Sequence, residues 1–312
     1  EQLKDYEFDR RHDTRQSISF NSIYIHRYNA GVDYSMSNFS DFIGGGGGGT
    51  LFTIPITKST TWTPPFNGTA VIHCIGAGGG GASDGGEGLC SAGAAGGYSR
   101  KVVTLATGTN WTMAVGAGGV GGNNSANGVT GGNTTATDGS SSLVANGGAR
   151  GLTASTAAVA GGSASGGDVN NTGGAGGTSG NMCTGGAVGV LGTGMAGQGG
   201  YSTNIAGFGY GGHSDVQSPQ FENTNGELRG GGRGGKTKYN YSSSAIVNSD
   251  GGFLAGGGAA WGATDTRPAF GGDGGIGGGG GTTNTASNSS IRMQNAGSGG
   301  NGLIIVMYTA IG

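Results

Sequence analysis

Apolar positions in this chain gather into a few short continuous runs, set apart by long stretches with neither helical nor strand periodicity. Thr69-Ala-Val-Ile-His-Cys-Ile75 is one such run, of strand length, and it follows the turn signal Asn67-Gly68. Tyr98-Ser-Arg-Lys-Val-Val-Thr-Leu105 is a second, Asn110-Trp-Thr-Met-Ala-Val115 a third after Thr107-Gly108, and Leu303-Ile-Ile-Val-Met-Tyr308 closes the chain. The pattern predicts strands over 69–75, 98–105, 110–115 and 303–308, with a further short one at Ser142-Leu-Val-Ala145. Strands near both ends predict that the ends pair in one small sheet structure, from which the middle emerges as an insertion.

That middle is written in glycine, which fills 79 of 312 positions, roughly a quarter against an ordinary level of about 7%. Each glycine gives up more backbone entropy on folding than any other residue, so such a chain orders only where hydrogen bonds fix the backbone. A period of three recurs in Gly118-Gly-Val-Gly-Gly122, Gly173-Gly-Ala-Gly-Gly177, Gly230-Gly-Gly-Arg-Gly-Gly235 and the stretch Gly271 to Gly281. Three residues make one turn of the left-handed polyproline II helix, which has no internal hydrogen bonds, so its amides must bond to neighbouring rods. Collagen shares the period but requires strict Gly-X-Y and abundant proline; five prolines and broken runs exclude it. The expected fold class is mostly irregular and β: a small β-sheet domain with an inserted bundle of polyglycine II helices and almost no α-helix.

Residues 1–43 differ in kind, with one glycine and 12 of the 32 charged residues. Two hexads repeat there, Ile18-Ser-Phe-Asn-Ser-Ile23 and Tyr34-Ser-Met-Ser-Asn-Phe39. So small a unit cannot bury its apolar face alone. Ile18, Phe20, Ile23, Tyr34, Met36 and Phe39 are therefore the candidate attachment residues, docking on a partner protein or on a copy of the chain. Residues 44–60 read as a glycine linker and lead-in, with Gly44–Gly49 either flexible or the first rod. Residues 61–312 read as one glycine-rich domain whose array and connecting loops span 116–300.

Only 33% of residues are hydrophobic and 10% charged, so the apolar core must be small. A net charge of −2 gives no steering toward nucleic acid or an anionic membrane. No apolar run reaches the length of about 18 residues that a spanning helix needs, and no membrane insertion is expected. The chain starts at Glu1 without methionine, consistent with a removed leader or preceding region. Three cysteines, Cys74, Cys90 and Cys183, are far too few for a disulfide scaffold. They are buried thiols, or Cys90 bridges Cys183. No metal pair of Cys-x-x-Cys type occurs, and neither metal nor cofactor is expected.

Several local patterns resemble chemistry and lack its context. Gly230-Gly-Gly-Arg-Gly-Gly235-Lys236-Thr237 fits the phosphate-binding loop pattern, but no strand precedes it and no helix follows. Arg229, Arg233, Lys236 and Lys238 beside Tyr239 and Tyr241 could track a single-stranded nucleic acid; in a slightly acidic chain they read instead as a solvated rim, and no nucleic-acid partner is expected. Gly81-Ala-Ser83-Asp-Gly85 matches a nucleophile elbow, with only His213 downstream and no helix after Ser83. His12 and His26 are isolated, and His73 reads as a satisfied sheet residue. Asn67-Gly-Thr69 is a glycosylation pattern by composition alone. No enzyme is expected.

Glycine-poor inserts interrupt the middle at Tyr201–Arg229, Lys236–Asp250, Ala259–Phe270 and Thr282–Ala296, and three of them carry its aromatics. The candidate recognition residues are Tyr201, Phe208, Tyr210, His213, Phe221, Tyr239, Tyr241, Trp261 and Phe270, some packing as lids on the rods and the rest facing outward. In order, Trp62-Thr-Pro-Pro-Phe66, Cys74-Ile-Gly-Ala-Gly-Gly-Gly-Gly81, Gly97-Tyr-Ser to Leu105, Trp111 to Gly122, and Gly299-Gly-Asn-Gly-Leu-Ile-Ile-Val306 resemble the glycine-rich domain of bacteriophage tail-fibre proteins, and the block-and-insert layout is similar to the tip adhesins of T-even-like phages. The resemblance covers roughly residues 61–312. It implies a frame of polyglycine II rods whose joining loops bind the host surface, an outer-membrane protein or a glycan, on a virion that supplies other tail proteins as partners. It leaves a homotrimer open. The alternative is a purely structural virion component without receptor contact. An antifreeze role is set aside because no regular threonine array lies along the rods.

Overall fold

The computed structural model describes residues 50–84, 90–155, 157–177, 185–190, 192–197, 250–262, 269–285 and 294–310. All regular elements among them are strands. A five-stranded antiparallel sheet carries, from edge to edge, Thr50–Ile56, Leu303–Ala310, Gly68–Ile75, Tyr98–Leu105 and Val169–Asn171. The expected strands at 69–75, 98–105 and 303–308 are its centre, and the two ends of the domain do pair, through Thr50–Ile56 against Leu303–Ala310. Thr50–Ile56 itself, taken with the lead-in on sequence, is an edge strand; Pro55 is tolerated there because an edge strand leaves one row of amides unpaired.

The run at 110–115 departs from the single-sheet expectation. Trp111–Ala114 belongs to a second five-stranded antiparallel sheet, in the order Thr60–Trp62, Trp111–Ala114, Thr134–Thr137, Ser142–Ala145 and Ala164–Ser165. Trp111 and Met113 are fully buried, and side chains of that size need a facing layer. The facing sheet supplies it: Ile56, Ala70, Ile72, Val103, Leu105, Ile304, Val306 and Tyr308 from the first sheet meet Trp111, Met113, Ala136, Leu143 and Ala145 from the second in one core. Alternation along Gly68–Ile75 sends Ala70, Ile72 and Cys74 inward. At the open end of this sandwich Tyr308 stacks on Phe52 at 5.2 Å and meets Phe66 at 4.7 Å.

The strands then run without a break into glycine. Gly68–Ile75 continues as Gly76–Ala82, Trp111–Ala114 as Gly116–Gly122, and Ser142–Ala145 as Asn146–Leu152, while Tyr98–Leu105, Thr134–Thr137 and Leu303–Ala310 are each entered from such a segment. The hydrogen bonds of Gly76–Ser83 turn from neighbour to neighbour with a period of three. Gly76, Gly79 and Ala82 donate to the carbonyls of Gly97, Ala94 and Ser91; Ala77, Gly80 and Ser83 to Gly132, Val129 and Ala126; Gly78 and Gly81 to Gly300 and Gly297. Acceptor numbers fall by three as donor numbers rise by three, so these three neighbours are antiparallel. Three parallel neighbours donate back: Gly119 and Gly122 to Gly78 and Gly81, Gly148 and Gly151 to Ala77 and Gly80, and Gly280 and Thr283 to Gly79 and Ala82. Each rod of the interior is thus bonded on all sides through backbone alone, and burial of its polar groups is offset by complete pairing.

Gly271–Gly281 reads in sequence as one continuous stretch and folds as two. Gly274 donates to Ser298 and Gly275 to Ala255, whereas Gly279 and Gly280 donate to Gly186 and Gly79. Between them the chain reverses at Ile276–Gly277, with Gly277 at φ 69°, the left-handed region that a side chain disfavours. Ile276 joins Ile75, Ala95, Tyr98, Val188, Leu303, Phe253 and Leu254 in a second apolar cluster that plugs the junction of sheet and frame.

On the outside of the frame, side chains take the place of missing neighbours. Gly118 N donates to Asn301 Oδ1 at 2.9 Å, Gly147 N to Asn133 Oδ1 at 2.9 Å, and Thr153 N to Asn127 Oδ1 at 2.7 Å. Ser298 N donates to Asp273 Oδ1 at 2.7 Å and Asp273 N to Asp250 Oδ1 at 2.9 Å.

Candidate functional site at the insert-bearing end

The rods have two unlike ends. One end passes into the sandwich, and Thr50, paired with Ala310, enters the first sheet at the extremity farthest from the frame. At the other end short strands lie side by side. Ser83–Asp84, Thr283–Thr285 and Ala260–Gly262 are parallel neighbours, as are Ala269–Phe270 and Gln294–Asn295. The connections 85–89, 263–268 and 286–293 start from the first group, and the last two return through the second. Residues 178–184 join Gly177, whose carbonyl accepts from Ala92, to Gly185, whose amide donates to Gly257. The frame therefore gathers several connections at one end.

The described rim of that end is rich in amides. Asn123–Asn127 reverses the chain between two rods with Asn124 at φ 49° and Ser125 at φ 63°, and Asn is the side chain that best tolerates this region. Asn123 bridges to Asn295, whose strand partner is Phe270. Phe270 is 38% exposed. Neither Asn123–Asn127 nor Asn295 was singled out by sequence; the signal present was an Asn-Asn-Ser turn placed between two glycine runs.

Of the candidate recognition residues, Phe270 is thus at the rim, and Trp261 lies in Ala260–Gly262, paired with Asn284. Tyr201, Phe208, Tyr210, His213, Phe221, Tyr239 and Tyr241 lie outside the described residues, as do the attachment residues Ile18, Phe20, Ile23, Tyr34, Met36 and Phe39, the cluster Arg229, Arg233, Lys236 and Lys238, and the phosphate-loop match.

The remaining motifs resolve into packing. Ser83 is fully buried on its two-residue strand. His73 Nδ1 lies 2.8 Å from Tyr98 Oη; burial, then the nearby Arg100 charge, hold its pKa below the usual histidine value, while burial raises that of Tyr98. Cys74 is a buried free thiol whose pKa burial pushes up to about 12. Cys90 is fully buried, its Sγ donating to Thr283 O at 3.9 Å; Cys183 lies outside the described residues. Among the described residues no group of three or more His, Cys, Asp or Glu could hold a metal, and no helix is long and apolar enough to cross a membrane.

The chain is thus a sandwich that feeds its strands into a backbone-bonded glycine frame, with several connections gathered at the far end. The chain belongs to the glycine-rich domain family, whose family model matches residues 54–309. A search of curated proteins found no match.

Proposed function

We propose that the protein is a non-enzymatic adhesin at the tip of a virion tail fibre, recognising the bacterial host surface through the inserts of its glycine frame. The observation that carries this reading is the polarity of the frame: connections leave and return side by side at the end opposite the point where Thr50 enters. Rods bonded to neighbours on all sides hold the loop ends fixed, which lowers the ordering cost of binding. Glycine offers only backbone, so discrimination falls to the inserts, where Tyr and Trp supply large rigid contact area. The three-residue hydrogen-bond rotation supports reading the rods as polyglycine II helices. Residues 1–43 serve as the attachment to other tail proteins.

The test is binding of the purified chain to host cells and its ability to block infection, followed by Tyr239→Ala, Tyr241→Ala and Trp261→Ala proteins of unchanged melting temperature. Loss of binding in these variants is expected. If all three bind like the parent while changes in the sandwich abolish binding, recognition lies elsewhere.

A further inference from the structure

The first sheet has a face that the second sheet does not cover. An antiparallel sheet with one solvated face ordinarily alternates apolar-in with polar-out. Here the outward row breaks that rule: Thr53 pairs with Met307, Met307 with Val71, and Val71 with Val102, placing three apolar side chains abreast on neighbouring strands. Val102 is 48% exposed, and Met307 and Val71 are part-exposed though both lie on inner strands. Toward the frame the next row is Pro55, Ile305, His73 and Arg100, beyond which the apolar cluster of Val188, Phe253 and Leu254 closes the face. Toward the entry point it stays open.

We propose that this face is the docking site of the chain's own segment Tyr34-Ser-Met-Ser-Asn-Phe39. Three features commit the surface to that occupant. Thr50 enters the sheet at the open end, on the edge strand of the same sheet, and Phe39 is eleven residues upstream through the glycines 44–49; such a connection reaches up to about 36 Å. The four-strand row is about 14 Å across, so reach is ample. Tyr34, Met36 and Phe39 supply the apolar cover that the exposed row lacks. Charge then separates the two hexads. Asp33 and Asp41 flank Tyr34–Phe39, opposite in sign to Arg100 on the face, whereas Arg15 and Arg27 flank Ile18–Ile23; the acid at the far edge of the row, Asp168, is already engaged by Val102 N at 2.8 Å. The first hexad is left for a partner protein.

The experiment places a photo-crosslinking benzoyl-phenylalanine at Val102 in the full chain and maps the product by mass spectrometry. The expected product is a crosslink within one chain to the peptide holding Tyr34–Phe39. Its yield falls several-fold in Arg100→Glu and recovers when Asp33→Lys and Asp41→Lys are added, at unchanged melting temperature. A crosslink to Ile18–Ile23, a product between two copies, or no crosslink in the monomeric chain would each overturn the proposal.

Discussion

Replacing Gly80 by alanine tests the frame at its centre. A methyl there would stand 2.8 Å from Gly119 O and nearer still to Val120 O, against about 3.5 Å for a relaxed carbon contact. The rod Gly76–Ala82 and the rod Gly116–Gly122 must therefore part by at least about 0.7 Å. The bonds that join them, Gly119 N to Gly78 O at 2.9 Å and Gly122 N to Gly81 O at 2.8 Å, would open beyond the roughly 3.2 Å at which such bonds hold. All four glycines are buried, so each broken bond also strands polar groups away from water. Two such losses cost about 2–6 kcal/mol together. Gly192 is the control: no atom lies within 4 Å of its added methyl, so Gly192→Ala should change stability by less than about 1 kcal/mol in either direction. The assay is the urea midpoint of each full-length protein, with the slope of the transition checked for constancy. Equal midpoints for Gly80→Ala and Gly192→Ala would refute close packing of the rods.

Gly274→Val should destabilise more than Asp273→Ala in the same assay, since the first intrudes on the Gly278 backbone and the second removes one acceptor, that of Ser298 N. Asp273 has its pKa raised, chiefly by desolvation and also by the Asp250 charge, against the opposing bond from Ser298 N; a raised folded-state pKa means that its stabilising contribution is present below the ordinary carboxylate range and lost as pH rises through the raised value. Asp273→Asn, which keeps the acceptor, should accordingly gain over the parent at pH 7 and lose that advantage in acid, as read from urea midpoints at the two pH values. Cys74 should resist iodoacetamide in the native protein and react on unfolding, because burial disfavours its thiolate; labelling at the native rate of a free thiol would contradict the core placement. Circular dichroism of the full chain should show a polyproline-type spectrum without the paired minima of α-helix, and strong helical minima would sink the rod assignment.

The strands that the apolar runs marked were legible because each buries a continuous or alternating apolar set: Ile72 and Cys74, Val103 and Leu105, Trp111 and Met113, Ile304 and Val306. Thr50–Ile56 was not, since Pro55 and the adjoining glycines mask a strand that only the edge position permits. Thr134–Thr137 gives no apolar signal because Ala136 is its one apolar residue; Thr134, buried on the same face, accepts from Gly116 N through its hydroxyl. The period of three was visible in glycine, but which rods adjoin was not, for glycine carries no side chain to encode a partner. The turn at Gly277 was hidden inside a single glycine-rich stretch, and only Ile276, drawn to the junction cluster, marks it. At the insert-bearing end the aromatics stood out by contrast with glycine, whereas Asn123–Asn127 and Asn295 did not, because short amide turns look alike whether they cap a rod or meet a ligand.

The rotation of hydrogen bonds through three neighbours has a consequence for how such a chain can vary. Along Gly76–Ser83 each residue's partner is fixed by its position modulo three. One residue added at the head of that rod would pass Ala77 on to the place of Gly78, and one deleted from it would draw Ala82 back to the place of Gly81; a Cβ in either place runs into backbone, that of Gly278 or of Gly281. The frame thus fixes which positions carry a side chain as well as which neighbour each amide meets, and length changes within a rod are poorly tolerated. A change of any length in 85–89 or 263–268 leaves every rod in phase. Change in length is channelled by geometry to the connections, where it leaves the rods undisturbed.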